Sequence, residues 1–80
     1  MQNDTVNHPA HYTAGGVECI KAIEAAVYGL QGIEAVHVGN VIKYVWRYRK
    51  KNGVEDLKKA RWYLDTLINK LSQESGAKHD

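Results

Sequence analysis

The chain has 80 residues and a formal net charge of +2, with 44% hydrophobic and 25% charged residues. A chain of this length forms one domain that buries a small share of its surface, so association with further copies is expected. The sequence has no run apolar enough to span a membrane, and its single cysteine, Cys19, cannot form an internal disulfide. We therefore expect a cytoplasmic protein that binds no membrane and buries Cys19 as a small hydrophobe.

The segment NHPAHYTAGG, residues 7–16, is too polar and too interrupted by proline and glycine to form a helix or a strand. His8, His11 and Tyr12 are directional hydrogen-bonding groups. We predict an N-terminal arm and loop over residues 1–16 whose side chains bind a ligand; the alternative is that they only cap helix ends. No third histidine or cysteine is clustered with His8 and His11, so no metal site is expected.

Hydrophobic spacing predicts three helices after the arm. Apolar residues recur every three or four positions from residue 17, and glycines end this first helix near residue 30. The second helix is predicted from about residue 33 to 51, where Asn52 and Gly53 form a strong stop signal. The third helix begins at Val54. Its apolar seam, which we expect in the core, consists of Leu57, Ala60, Leu64, Leu67, Ile68 and Leu71.

These elements predict an all-α fold, a small three-helix protein whose last two helices form an antiparallel pair. The helical domain is expected over residues 17–73, with a flexible tail over residues 74–80. Because such a domain is small, we expect it to assemble as a homo-oligomer.

Projection of the second helix at about 100° per residue separates an apolar arc from a polar one. The apolar arc, expected to pack inward, consists of Val38, Val41, Ile42, Val45 and Trp46. The polar arc carries Asn40, Lys43, Arg47, Lys50 and Lys51, with His37 and Tyr44 at its edge. Such an arc is commonly a solvated basic face, but this one has few compensating carboxylates on its own helix. Its cations and directional groups suit a phosphorylated ligand.

Trp62 lies on the third helix almost opposite its apolar seam, and Tyr63 lies to one flank. An aromatic residue turned away from the core is most often an oligomer contact and less often a platform on which a base stacks. We predict that Trp62 and Tyr63 belong to a subunit interface.

Three blocks of the sequence, NHPAHYTAGGVECI, GNVIKYVWR and GVEDLKKARWYL, resemble the signature blocks of a short phage protein family classed as a domain of unknown function, number 3310. A related sequence forms part of the nucleotide kinase of T-seven-type phages, an oligomeric enzyme unlike P-loop kinases. The resemblance implies nucleotide-related work in the cytoplasm of an infected bacterium. Among the residues singled out above, it covers His8, His11, Tyr12, Asn40, Lys43, Tyr44, Arg47, Trp62 and Tyr63.

The sequence leaves three functions open. The first is a nucleotide-binding protein that grips a phosphorylated ligand without a cofactor and sequesters a nucleotide signal of host immunity. The second is a nucleoside monophosphate kinase without a P-loop, in which Glu55 or Asp56 would hold Mg²⁺. The third, placed last because the basic block is short, is a nucleic-acid-binding helical protein.

Overall fold

The computed structural model describes residues 14–76, and these residues form three α-helices. Helix α1 spans Cys19–Ala26, α2 spans Gly32–Arg47 and α3 spans Val54–Gly76. One 3-10 turn, Ala14–Gly16, lies before α1, and another, Tyr48–Lys50, directly follows α2. No strand occurs within the described residues, and the predicted small all-α fold with three helices is confirmed.

The helix boundaries differ from the predicted ones at both ends of the domain. Helix α1 ends at Ala26 rather than near residue 30, and the chain turns through Gly29, whose φ of +87° is costly for other residues. Helix α3 instead continues to Gly76, into the segment predicted to be a flexible tail. An ion pair of 3.1 Å between Lys70 and Glu74, one turn apart, supports these last turns.

Helix α2 packs against both of the other helices. On one side Gly39 permits the close approach of α1, because a Cβ atom at this position would lie 3.3 Å from Cγ2 of Ile23. On the other side α2 and α3 run antiparallel, since Arg47 at the end of α2 contacts Asp56 at the start of α3 while His37 lies beside Tyr63.

The face of α2 that meets α3 includes residues outside the apolar arc predicted to pack inward. His37 is only 7% exposed and Tyr44 stacks on Tyr63. Of the apolar arc itself, Val38, Val41, Ile42 and Trp46 are half-buried, whereas Val45 remains 47% exposed. The reason lies on α3, which presents a carboxylate and an aromatic ring to α2 and so selects the polar and aromatic side of that helix.

The Asp56 carboxylate holds α2 and α3 together at their turn. Its side chain is fully buried and accepts two hydrogen bonds from the Arg47 guanidinium, from Nε to Oδ2 and from Nη2 to Oδ1, both 3.2 Å long. Asn52 donates two more, from its backbone N–H at 3.1 Å and from Nδ2 at 3.2 Å. A two-pronged guanidinium pair fixes orientation as well as distance. This arrangement, the Asp56 clamp, therefore sets how α2 and α3 are rotated against each other.

Two opposing effects act on the pKa of Asp56. Burial alone would raise the pKa, but the hydrogen bonds from Arg47 and Asn52 and the Arg47 charge outweigh it and hold the pKa below its ordinary value of 3.8. A carboxyl group whose pKa is lowered by folding stabilises the fold above its ordinary pKa. That contribution is lost as the pH falls through the lowered value.

We predict that Asp56→Asn lowers the thermal unfolding temperature at pH 7 by several degrees, because the buried ion pair with Arg47 is lost. The difference from the wild type should begin to shrink below about pH 4, where the carboxyl of the unfolded chain becomes protonated, and should be lost once the pH is below the lowered pKa of Asp56 in the folded protein. Thermal unfolding followed by circular dichroism between pH 2 and 7 measures both effects. The matched control is Asp65→Asn, an exposed carboxylate on the same helix. An equal loss in both variants would contradict the clamp.

Candidate functional site

Four ring side chains gather along the seam between α2 and α3. Tyr44 and Tyr63 stack with centroids 5.9 Å apart and planes 12° apart. Trp62 meets Tyr63 edge-on at 5.0 Å, and the His37 ring lies 5.9 Å from Tyr63 on the inner side. Offset stacking and edge contacts are the favoured geometries of aromatic pairs. The two helices therefore hold a rigid aromatic surface, with Trp62 at its outer edge, 61% exposed.

Three cations surround the Tyr44 ring. Lys43 Nζ lies 4.7 Å, Arg47 Cζ 4.9 Å and Lys59 Nζ 5.5 Å from the ring centroid. Each is close enough for a cation–π interaction, worth about 0.5–1 kcal/mol where solvent reaches the group. Together with the four rings these cations form what we call the aromatic–cation cluster.

The positive charge of the cluster is only partly balanced. Asp56 neutralises Arg47 in the clamp, where the guanidinium is half-buried. Among the described residues no carboxylate lies within 4.0 Å of Lys43 or Lys59. Two ammonium groups therefore converge on one ring without an acidic partner in residues 14–76, which makes this part of the surface locally positive.

His37 contributes an unusual group to the inner side of the cluster. Its Nδ1 atom is buried, and within the described part of the chain it has no hydrogen-bond partner. Leaving a buried polar atom without a partner costs about 1–3 kcal/mol. A side chain that carries this cost is a candidate for contact with a bound molecule.

Cys19 does not have the surroundings of a reactive thiol. It is buried in the protein interior, as predicted, and burial raises the pKa of its thiol, while the nearby charge of Lys43 opposes this in part. A raised pKa leaves little of the nucleophilic thiolate at neutral pH.

The structure brings together three of the predicted ligand-binding residues. Lys43, Tyr44 and Arg47 meet in the aromatic–cation cluster, and Asn40 lies one turn before Tyr44, half-buried. Three further predicted residues lie outside the described ones, namely His8, His11 and Tyr12.

Three features of the cluster were not predicted from the sequence. Arg47 is held by Asp56 of the next helix, which gives Asp56 a structural task. Tyr63, expected at a subunit interface, is engaged within the protomer. Lys59 was not among the predicted ligand residues, although its spacing of three from Asp56 places both on one side of α3.

The described residues contain neither a metal-binding group of side chains nor a membrane-spanning helix. No group of three or more histidine, cysteine, aspartate or glutamate side chains in residues 14–76 is arranged to hold a metal ion. No helix in the same part of the chain is long and apolar enough to cross a membrane.

These features define a small all-α protein with a basic, aromatic site on an antiparallel helix pair. Residues 6–65 match the model of DUF3310, a family described as proteins of unknown function, and the chain belongs to that family. No curated protein and no solved structure matches the chain.

We predict that His37→Leu raises the stability of the ligand-free protein by about 1 kcal/mol, because leucine fills a similar volume without a buried unpaired nitrogen. Chemical denaturation of both proteins measures the difference. A loss of stability would mean that a group outside residues 14–76 already pairs with Nδ1.

Proposed function

We propose that this protein is a phage-encoded nucleotide-binding protein. In this proposal it acts in the cytoplasm of the infected bacterium, grips a phosphorylated nucleotide and sequesters a nucleotide signal of host immunity, which makes it an antagonist of host defence. One observation carries the proposal: Lys43 and Lys59 approach the Tyr44 ring from two helices, and no acid in the described residues balances them.

In this proposal the two lysines bind the phosphate group of the nucleotide. Lysine binds phosphate as a compact charge on a flexible stem, so two of them on different helices can adjust to one phosphate group from two directions. Helices α2 and α3 are fixed against each other by the Asp56 clamp, which holds the two stems in place. The sequence alone suggested that Arg47 contacts the phosphate. In this proposal Arg47 instead pairs with Asp56, and Lys59 contacts the phosphate together with Lys43.

The aromatic residues provide for the base. Trp62 is 61% exposed and is supported edge-on by Tyr63, so it offers a free ring face that does not need to be ordered on binding. Stacking of a base on such a ring is worth about 1–3 kcal/mol and accepts any base. His37, Asn40 and the arm residues His8, His11 and Tyr12 are the directional groups that would add selectivity.

We predict that Lys59→Ala weakens nucleotide binding about tenfold or more, because one of two charge-assisted contacts to phosphate is lost. Isothermal titration with the best ligand from a thermal-shift panel of mononucleotides, dinucleotides, cyclic oligonucleotides and ADP-ribose derivatives measures the effect. The matched control is Lys58→Ala, which removes the same charge from the neighbouring position, turned about 100° around α3. Equal losses in both variants would reduce the cluster to general surface charge.

The kinase alternative requires a carboxylate that is available to hold Mg²⁺. The structure commits both Asp56 oxygens to Arg47 and Asn52, so of the two carboxylates considered for Mg²⁺ only Glu55 is exposed.

Incubation of the protein with a nucleoside triphosphate, Mg²⁺ and nucleoside monophosphates, analysed by mass spectrometry, distinguishes the two functions. We expect every nucleotide to be recovered unchanged, because the cluster holds an anion without an evident group for phosphoryl transfer. New diphosphates would establish the kinase. Binding of long oligonucleotides with a steep salt dependence would favour the nucleic-acid alternative.

Assembly as a homo-oligomer is part of the proposal. Among the described residues only three apolar side chains are buried, Cys19, Ala60 and Leu67, while many larger ones stay exposed. So small a core is marginal for an independent domain. A contact between copies would cover part of the exposed apolar surface.

A further inference from the structure

A band of apolar side chains lies on the outside of the α2–α3 pair. On α3, Leu57 is 38%, Leu64 43% and Ile68 50% exposed, and on α2 Val45 is 47% exposed. Leu57, Leu64 and Ile68 belong to the apolar row of α3 that the sequence predicts to be core, and a single protomer does not cover them. Scattered exposed apolar residues are normal, whereas a continuous row of them marks a contact surface.

Helix geometry places these residues on one side of the helix pair. Val45 follows Tyr44 in α2, and Leu64 follows Tyr63 in α3, and Tyr44 and Tyr63 lie where the two helices meet. In each helix the step to the next residue turns the side chain by about 100° in the same right-handed sense. Because α2 and α3 are antiparallel, turns of the same sense bring both residues to the same side. Leu57, which follows Asp56, lies there for the same reason.

The residues that precede Tyr44 and Tyr63 lie on the opposite side of the helix pair. Lys43 precedes Tyr44 and Trp62 precedes Tyr63, so the exposed part of the aromatic–cation cluster points away from the apolar band. Helix α1 is also on the Lys43 side, since it packs on Gly39, four residues before Lys43 on the same face of α2. No described segment covers the band. We call it the apolar face, made of Val45, Leu57, Leu64 and Ile68.

We infer that the apolar face binds the same face of a second copy, with α3 antiparallel to α3 and the two-fold axis at Leu64. The sequence is self-complementary about this position. Leu57 and Leu71 stand seven residues to either side of Leu64, and Ala60 and Ile68 stand four to either side. A two-fold axis there sets Leu57 against the partner's Leu71, and leaves room for Ile68 above the partner's Ala60, a small side chain that is itself buried within its own protomer.

A second copy fits the apolar face better than the N-terminal arm does. Residues 1–13 contain only Met1 and Val6 as large aliphatic side chains, which are too few to cover four. Two copies of the face instead supply two matching apolar rows and produce a four-helix core of the kind in which helix pairs associate. The arrangement leaves both aromatic–cation clusters outward, so it does not depend on the proposed nucleotide binding.

Leu64→Glu tests the inference because it places two like charges at the two-fold axis. We expect the wild type to have the mass of a dimer or larger assembly in size-exclusion chromatography with light scattering, and Leu64→Glu to have at most half of it. Leu64→Lys should behave in the same way, and an equimolar mixture of the two variants should regain the wild-type mass. Trp62→Glu, the matched change on the opposite side of α3, should leave the mass unchanged.

Several results would overturn the inference: a monomeric wild type, a Leu64→Glu mass equal to that of the wild type, a mixture that stays dissociated, or dissociation by Trp62→Glu alone. If circular dichroism shows that Leu64→Glu is unfolded, a second experiment decides. The double variant Cys19→Ala, Leu64→Cys should form a disulfide-linked dimer under mild oxidation, while Cys19→Ala, Lys58→Cys should not. Failure of the Leu64→Cys variant to cross-link would also overturn the inference.

Discussion

The burial of the Asp56 carboxylate is the constraint on which the rest of the structure depends. An ionised carboxylate is stable away from water only when its oxygens are fully hydrogen-bonded, and here Arg47 and Asn52 provide the donors. Because both nitrogens of the guanidinium fork are used, α2 cannot rotate on α3 without breaking a bond. A shift of one residue along a helix turns its side chain by about 100°, so fixing the rotation fixes the chemistry of every surface of the pair.

The fixed rotation sorts the residues of α2 and α3 into three sets. His37, Tyr44 and Tyr63 lie at the seam, where their rings contact one another. Residues that precede the seam positions, such as Lys43 and Trp62, form a basic and aromatic surface, and those that follow them form the apolar face. A single pair of helices thus presents two chemically opposite sides, one basic and aromatic and the other apolar.

The sequence was sufficient to predict the three helices and part of the candidate site. Periodic apolar residues and the turn at Asn52 and Gly53 predicted three helices and an antiparallel pair, since these signals are local. Lys43 and Tyr44 were correctly grouped because both lie on one helix.

The sequence was not sufficient for contacts between helices. The partner of Arg47 is nine residues away on another helix, and a projection of α2 alone cannot reveal it. Hydrophobicity ranks Val45 above His37 as a core residue, yet the stacking surface of Tyr63 and the carboxylate of Asp56 decide otherwise. Lys59 was not predicted as a site residue for the same reason, because it contacts Tyr44 only across the interface between α2 and α3.

The sharing of one carboxylate by two donors also limits how this protein can change over generations. Replacing Asp56 deprives both Arg47 and Asn52 of their acceptor, and replacing either donor leaves a buried charge short of hydrogen bonds. Arg47, Asn52 and Asp56 should therefore be inherited together. The surfaces on either side of the helix pair carry no such linkage and are free to diverge separately.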